Sequence, residues 1–166
     1  MKQYQQTVWF TRSTNMAIQS ASHNISVLIN TISRIQTNKI ILDKTNNIFN
    51  YNTTKREDSF ILDFVHGSSF LFGNCRKTVL DEDSDCYFCA ISTDSPEHQL
   101  LHCSELAEYT QQQLLKHLSS QSHYIEEIIA PMKQEIQKAF IDRVRFLIVQ
   151  HDINHEQAIQ QLQANM

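Results

Sequence analysis

The chain has 166 residues, a formal charge of −4, and only two glycines and two prolines. So little Gly and Pro disfavours a turn-rich β-sandwich or a glycine-rich phosphate loop, and the G-x-G-x-x-G, P-loop and G-x-S-x-G motifs are absent. The negative balance denies the chain a globally basic footprint for nucleic acid. Its length suits one domain, or one domain with a loosely attached arm. No run approaches roughly eighteen consecutive apolar residues, so no membrane contact by a spanning helix is expected. Met1 to Gln6 is polar and unlike a secretory signal. The expectation is an intracellular protein, cytoplasmic or nuclear and not secreted, whose thiols stay reduced and open to metal.

From Met16 to Gln36, the apolar residues Ile18, Ala21, Ile25, Leu28, Ile32 and Ile35 step by three and four. That spacing predicts an amphipathic helix, capped by Ser13, Thr14 or Asn15, with its stripe against the core or a partner helix. Thr37 to Glu57 is rich in Asn and Thr and reads as a loop, which sets the domain boundary. Residues 1–57 are expected to form an N-terminal helical arm with that loop, and 58–166 a helical domain whose Cys86, Cys89, His98 and Cys103 have the spacing of zinc ligands, a zinc-knuckle helical domain. Ser59 to about His66 reads as a short helix, and Asp81 to Asp85 as a solvated acidic loop. Asp94, Pro96 and Glu97 together look like a capping box and a helix start. That helix continues through Leu100, Leu101, Ala107, Leu114, Leu115 and Leu118 to about His117. A last helical region carries Ile125, Ile128, Ile129, Met132, Ile136, Phe140, Val144 and Leu147, with Pro131 starting or bending it. Asn154 is placed as the cap of a final short helix with Ala158, Ile159 and Leu162. The fold class is mainly α: an irregular helical domain with a zinc knuckle inserted before a long helix.

Three of the four cysteines fall in one short segment, Cys86-x2-Cys89-x8-His98-x4-Cys103. A thiolate pair two residues apart clasps one edge of a Zn2+ ion, and the His/Cys pair closes the other. His98 and Cys103 are five residues apart, about one and a half α-helical turns, so they share a face only if the turn adjusts. The competing reading is small apolar thiols packed in a core beside a surface histidine. Four protein ligands leave no open position for a reactive water, so the metal is expected to be structural and the chain not an enzyme. His102 and Cys75 are the substitute ligands if the register differs. His151 and His155, four apart, read as a solvated helix end.

Between Thr78 and Thr110 lie Asp81, Glu82, Asp83, Asp85, Asp94, Glu97, Glu105 and Glu108, with no Lys or Arg. Such a knuckle is a poor phosphate binder by itself. The candidate nucleic-acid contacts are Arg76 and Lys77 upstream, and Lys138, Arg143 and Arg145 downstream. For the last three, the competing reading is a solvated face opposite Phe140, Val144 and Leu147.

The run Asp85-Cys86-Tyr87-Phe88-Cys89, then Asp94-Ser95-Pro96-Glu97-His98-Gln99-Leu100-Leu101-His102-Cys103, then Ser104-Glu105-Leu106-Ala107, resembles a known segment. It is similar to the CCHC-type zinc-binding region at the C-terminal end of LINE-type (non-LTR) retrotransposon reverse transcriptases. The similarity covers about Gly67 to Leu118. It implies a zinc-binding domain of retroelement origin that assists engagement of RNA or DNA by a reverse transcriptase. The aspartate pair of a polymerase palm is absent, which implies a non-catalytic piece. The alternative is a zinc-stapled helical module that binds another protein through its apolar helical faces, without a nucleic-acid role.

Overall fold

The computed structural model describes residues 15–30, 53–66, 77, 83–120 and 134–165. Among the described residues, four α-helices carry the architecture: α1 (residues 15–30), α2 (Lys55–His66), α3 (Tyr109–Ser119) and α4 (Gln134–Ala164). Between α2 and α3 lies a one-turn π-helix, His98–His102. The fold is mainly α; among the described residues the extended backbone pairs only at an isolated antiparallel bridge between Asp85 and Thr93.

α1 forms where its apolar stripe predicts, and it buries Ala21, Ile25 and Leu28. These residues share one buried cluster with Leu114, Leu118, Phe140, Val144 and Leu147. The Asn24 side-chain amide donates to the Leu118 carbonyl at 2.7 Å, satisfying one acceptor that the end of α3 leaves over. Residues of the predicted N-terminal arm are thus built into the common core. The expected boundary after residue 57 falls inside the first turn of α2. Sequence-expected positions outside the described residues include Trp9, Ile32, Ile35, Cys75, Arg76, Ile125 and Pro131.

α2 begins earlier than its apolar run because of a reciprocal cap. Thr54 Oγ1 accepts from the Glu57 amide at 3.2 Å, while Glu57 Oε2 accepts from the Thr54 amide at 2.7 Å. This is a capping box written T-x-x-E. Ile61, Phe64 and Val65 are the buried face of α2.

α3 is separate from the π-turn, which corrects the expectation of one continuous helix from Asp94 to His117. Cys103 leaves helical geometry at φ −67, ψ 120. The Glu108 side chain caps the restart, accepting from the amides of Thr110 at 2.7 Å and Gln111 at 3.2 Å. The leucine spacing alone conceals this break.

α4 is a single helix of 31 residues, about 46 Å long at 1.5 Å per residue. Asn154 lies inside it and caps nothing, because no Gly or Pro between Gln134 and Ala164 interrupts the hydrogen bonding. Ile136, Phe140, Val144 and Leu147 bury the N-terminal half against α3, α2 and the π-turn. Beyond it, Ile153, Ile159 and Leu162 are exposed. Across α2 and α4, Glu57 pairs with Arg145 Nε at 2.7 Å and Arg56 pairs with Asp152. Arg145 holds the Glu57 carboxyl below the usual range.

Candidate metal centre

Two pieces of backbone build the site. The first is a tight hairpin. Cys86 N–H donates to Ser92 O at 2.8 Å and Asp94 N–H to Ser84 O at 2.9 Å, pinching its base. At the tip, Ala90 N–H donates back to Cys86 O at 2.8 Å. The chain can reverse so tightly because Ala90 takes a left-handed conformation, φ 52, at a cost of about 1–2 kcal/mol for a residue with a Cβ. This turn carries Cys86 and Cys89 on one inner side.

The second piece is the π-turn. Ser95 is the cap: its hydroxyl accepts from the His98 amide at 3.1 Å. Asp94, expected in that role from the sequence, is instead buried and accepts from the Gln99 side chain at 2.6 Å. The Cys103 amide then donates to the His98 carbonyl at 2.8 Å, an i to i+5 bond. In an α-helix residue i+5 sits far around the axis from residue i, whereas an i+5 bond draws it back above residue i. The turn adjustment demanded by the five-residue spacing is this π-turn.

The result is convergence. One ligand atom from each of Cys86, Cys89, His98 and Cys103 lies within 4.8 Å of every other. Cys86 Sγ is 3.9 Å from Cys103 Sγ, and Cys89 Sγ is 3.3 Å from His98 Nε2. For a tetrahedral ion with bonds of about 2.3 Å to sulfur and about 2.0 Å to nitrogen, the edges are roughly 3.8 Å for S···S and 3.5 Å for S···N. The first edge lies just above its value and the second just below. Cys86, Cys103 and His98 are buried and Cys89 is half-buried, so the set suits an enclosed ion.

Burial also sets the protonation of the metal-free cluster. It pushes the Cys86 thiol up to about 12 and raises Cys103 as well. Burial opposes ionisation of Cys89 too, but backbone amides of Ile91 and Ser92 outweigh it and lower that thiol. Burial holds His98 below its ordinary value, as the neutral imidazole a metal requires. Metal binding must therefore expel at least the protons of Cys86 and Cys103. Zinc affinity is expected to rise about a hundredfold or more per pH unit between about pH 6 and 8, measured by chelator competition. A flat profile would contradict the thiolate ligand set.

A polar cage surrounds the ligands. The guanidinium of Arg143, wholly buried, donates to Gln99 O at 2.8 Å, Leu100 O at 3.1 Å and Glu108 Oε1 at 3.1 Å. Gln111 Nε2 donates to Cys103 O at 3.2 Å, and His151 Nε2 lies 2.8 Å from Gln99 Oε1. Burial lowers Arg143 to about 10, which leaves it cationic at neutral pH. The sequence reading, which offers Arg143 as a nucleic-acid contact or on a solvated face, misses this cage. Its spacing held a signal, since Arg143 stands three residues after Phe140 and four before Leu147, inside the apolar stripe.

The remaining candidates fall elsewhere. His102 Nε2 is 2.9 Å from Ser22 Oγ and 3.6 Å from Glu97, facing α1 and not the thiols. Of the five cations considered for phosphate, Arg143 is sequestered in the core, and this use of its guanidinium removes it as a phosphate contact. Arg145 pairs with Glu57 and lies 3.7 Å from Asp142. Lys77 and Lys138 are exposed, and Arg76 is outside the described residues. No helix among the described residues is long and apolar enough to cross a membrane. No protein-family model, curated protein or solved structure matches this chain.

Proposed function

We propose that this chain is a non-catalytic, zinc-stapled helical domain, of the kind found at the C-terminal end of LINE-type reverse transcriptases, that assists engagement of RNA or DNA. The observation that carries the metal part is the mutual approach of the four ligand atoms to within 4.8 Å. Zinc suits the donor set: three thiolates and one imidazole in a closed tetrahedral site, with no position left for a substrate or a reactive water. Three soft sulfurs argue against magnesium or calcium, which take oxygen ligands. The nucleic-acid part is supported by the resemblance of the knuckle sequence, with Lys77 and Lys138 as exposed cations.

A second reading has its own support. Arg143 is committed to the core and Arg145 to ion pairs, while Tyr87 and Ile91 on the knuckle and Ile153, Ile159 and Leu162 on α4 are exposed. A zinc-stapled scaffold that binds another protein through such apolar residues fits these positions without any phosphate contact. Titration of the zinc-loaded protein with single- and double-stranded RNA and DNA at several salt concentrations separates the two. The first reading expects binding that weakens steeply with salt, because each neutralised phosphate releases counterions. Affinity no better than about 10⁻⁴ M at physiological salt would remove it in favour of the second.

A further inference from the structure

The π-turn poses a problem that the ligands themselves do not solve. A helix ending abruptly leaves carbonyls without intrahelical donors, and here the chain leaves helical geometry at Cys103, itself a ligand. The carbonyls of Gln99 and Leu100 lie on this turn, between the ligands His98 and Cys103. Both receive their donors from a side chain 43 and 44 residues away, the guanidinium of Arg143. The same guanidinium pairs with Glu108, the residue that caps α3 immediately after the turn. Its face lies 5.1 Å from the Phe146 ring centroid, which fixes it further.

We infer that Arg143 is the positioning residue of the metal centre: by holding the Gln99 and Leu100 carbonyls it keeps the turn in its i to i+5 register, and so keeps His98 Nε2 and Cys103 Sγ on the same ion. The inference rests on the metal reading above. Arg143 is not itself a ligand; its guanidinium reaches the backbone carbonyls between the ligands. Were that turn to relax to an α-helical register, Cys103 would rotate away from His98 and the tetrahedron would open. Glu108 keeps its own amide donors at Thr110 and Gln111, so removing the guanidinium does not strand a carboxylate without partners.

The test compares wild type, Arg143→Met and Arg143→Lys, each loaded with Co2+ as a spectroscopic stand-in for zinc. Arg143→Met keeps the apolar stem without a donor; Arg143→Lys keeps the charge but lacks the planar fork that reaches several acceptors at once. In Arg143→Met, metal affinity is expected to fall about 10- to 100-fold, the usual range for outer partners of a metal site. The tetrahedral cobalt bands should shift, reporting a ligand lost or replaced by water, while far-UV helicity of the loaded protein is retained. Arg143→Lys should recover only part of the affinity and of the spectrum. Wild-type affinity within twofold and an unchanged spectrum in Arg143→Met would overturn the inference. If Arg143→Met does not fold, Arg143→Lys decides by the same criteria: weakened affinity with an altered spectrum supports the role, and a wild-type spectrum and affinity refute it. Wild type that gives no tetrahedral cobalt spectrum at all would defeat the metal reading itself, and is recognisable before any variant is made.

Discussion

Removal of metal by a strong chelator, or the substitution Cys86→Ser, is expected to unfold at least the segment from Asp83 to Ser120. Structural zinc contributes on the order of 10–16 kcal/mol of apparent binding free energy in small modules, against a net domain stability of about 5–15 kcal/mol. Apart from the ligand set, the hairpin is held by one isolated bridge, a few backbone hydrogen bonds and the packing of Cys86 and Phe88 on the core, with a left-handed alanine working against it. Loss should not stop at the hairpin. Leu100, Leu101 and Leu106, on or just after the π-turn, belong to the same buried cluster as the helices. Hydrogen exchange read residue by residue gives the outcome. Protection should collapse from Asp83 through α3 and weaken in α1, which His102 and Leu118 tie to that segment. Unchanged circular dichroism and exchange after complete removal of metal would show that the thiols pack without it.

The second large effect lies in the helical core. Phe140→Ala should cost about 3–5 kcal/mol, the range for truncating a buried aromatic, because Phe140 is fully buried at the centre of the α4 stripe. For a chain of this size that lowers the melting temperature by on the order of 10 °C. Below the new transition, the cobalt spectrum of the metal site should match wild type, since Phe140 contributes to the apolar core and not to the ligand set. The contrast with Arg143→Met is informative, as the two residues are three apart on one helix. One should change stability and leave the ligand field intact, and the other should change the ligand field. A Phe140→Ala variant that melts like wild type would mean that α4 does not pack as described.

The parts legible in the sequence were those with a period or a spacing. The stripe Ala21, Ile25, Leu28 marked α1, and Ile136, Phe140, Val144, Leu147 marked the buried half of α4, because helical burial repeats every three to four residues. The positions Cys86, Cys89, His98 and Cys103 stood out because metal ligands recur at short intervals. What stayed hidden was set by hydrogen bonding, which apolar periodicity does not report. The leucines from Leu100 to Leu118 keep helical intervals across a chain that stops at Cys103 and restarts at Tyr109. Asp94 and Ser95 are both good caps, and their neighbours decided between them: Gln99 engages Asp94, leaving Ser95 to meet the His98 amide. Two further features are legible in the residues themselves. Thr54 and Glu57 have the spacing of a capping box, masked by the Asn/Thr-rich stretch before them. Arg143 stands in the apolar stripe of α4, where a charge implies a buried partner.

X-ray absorption at the zinc edge, on protein purified without added metal, tests the centre most directly. The expected spectrum is one zinc per chain with three sulfur scatterers at about 2.3 Å and one imidazole nitrogen at about 2.0 Å. A zinc shell dominated by oxygen and nitrogen, or a folded protein holding no metal, would contradict it.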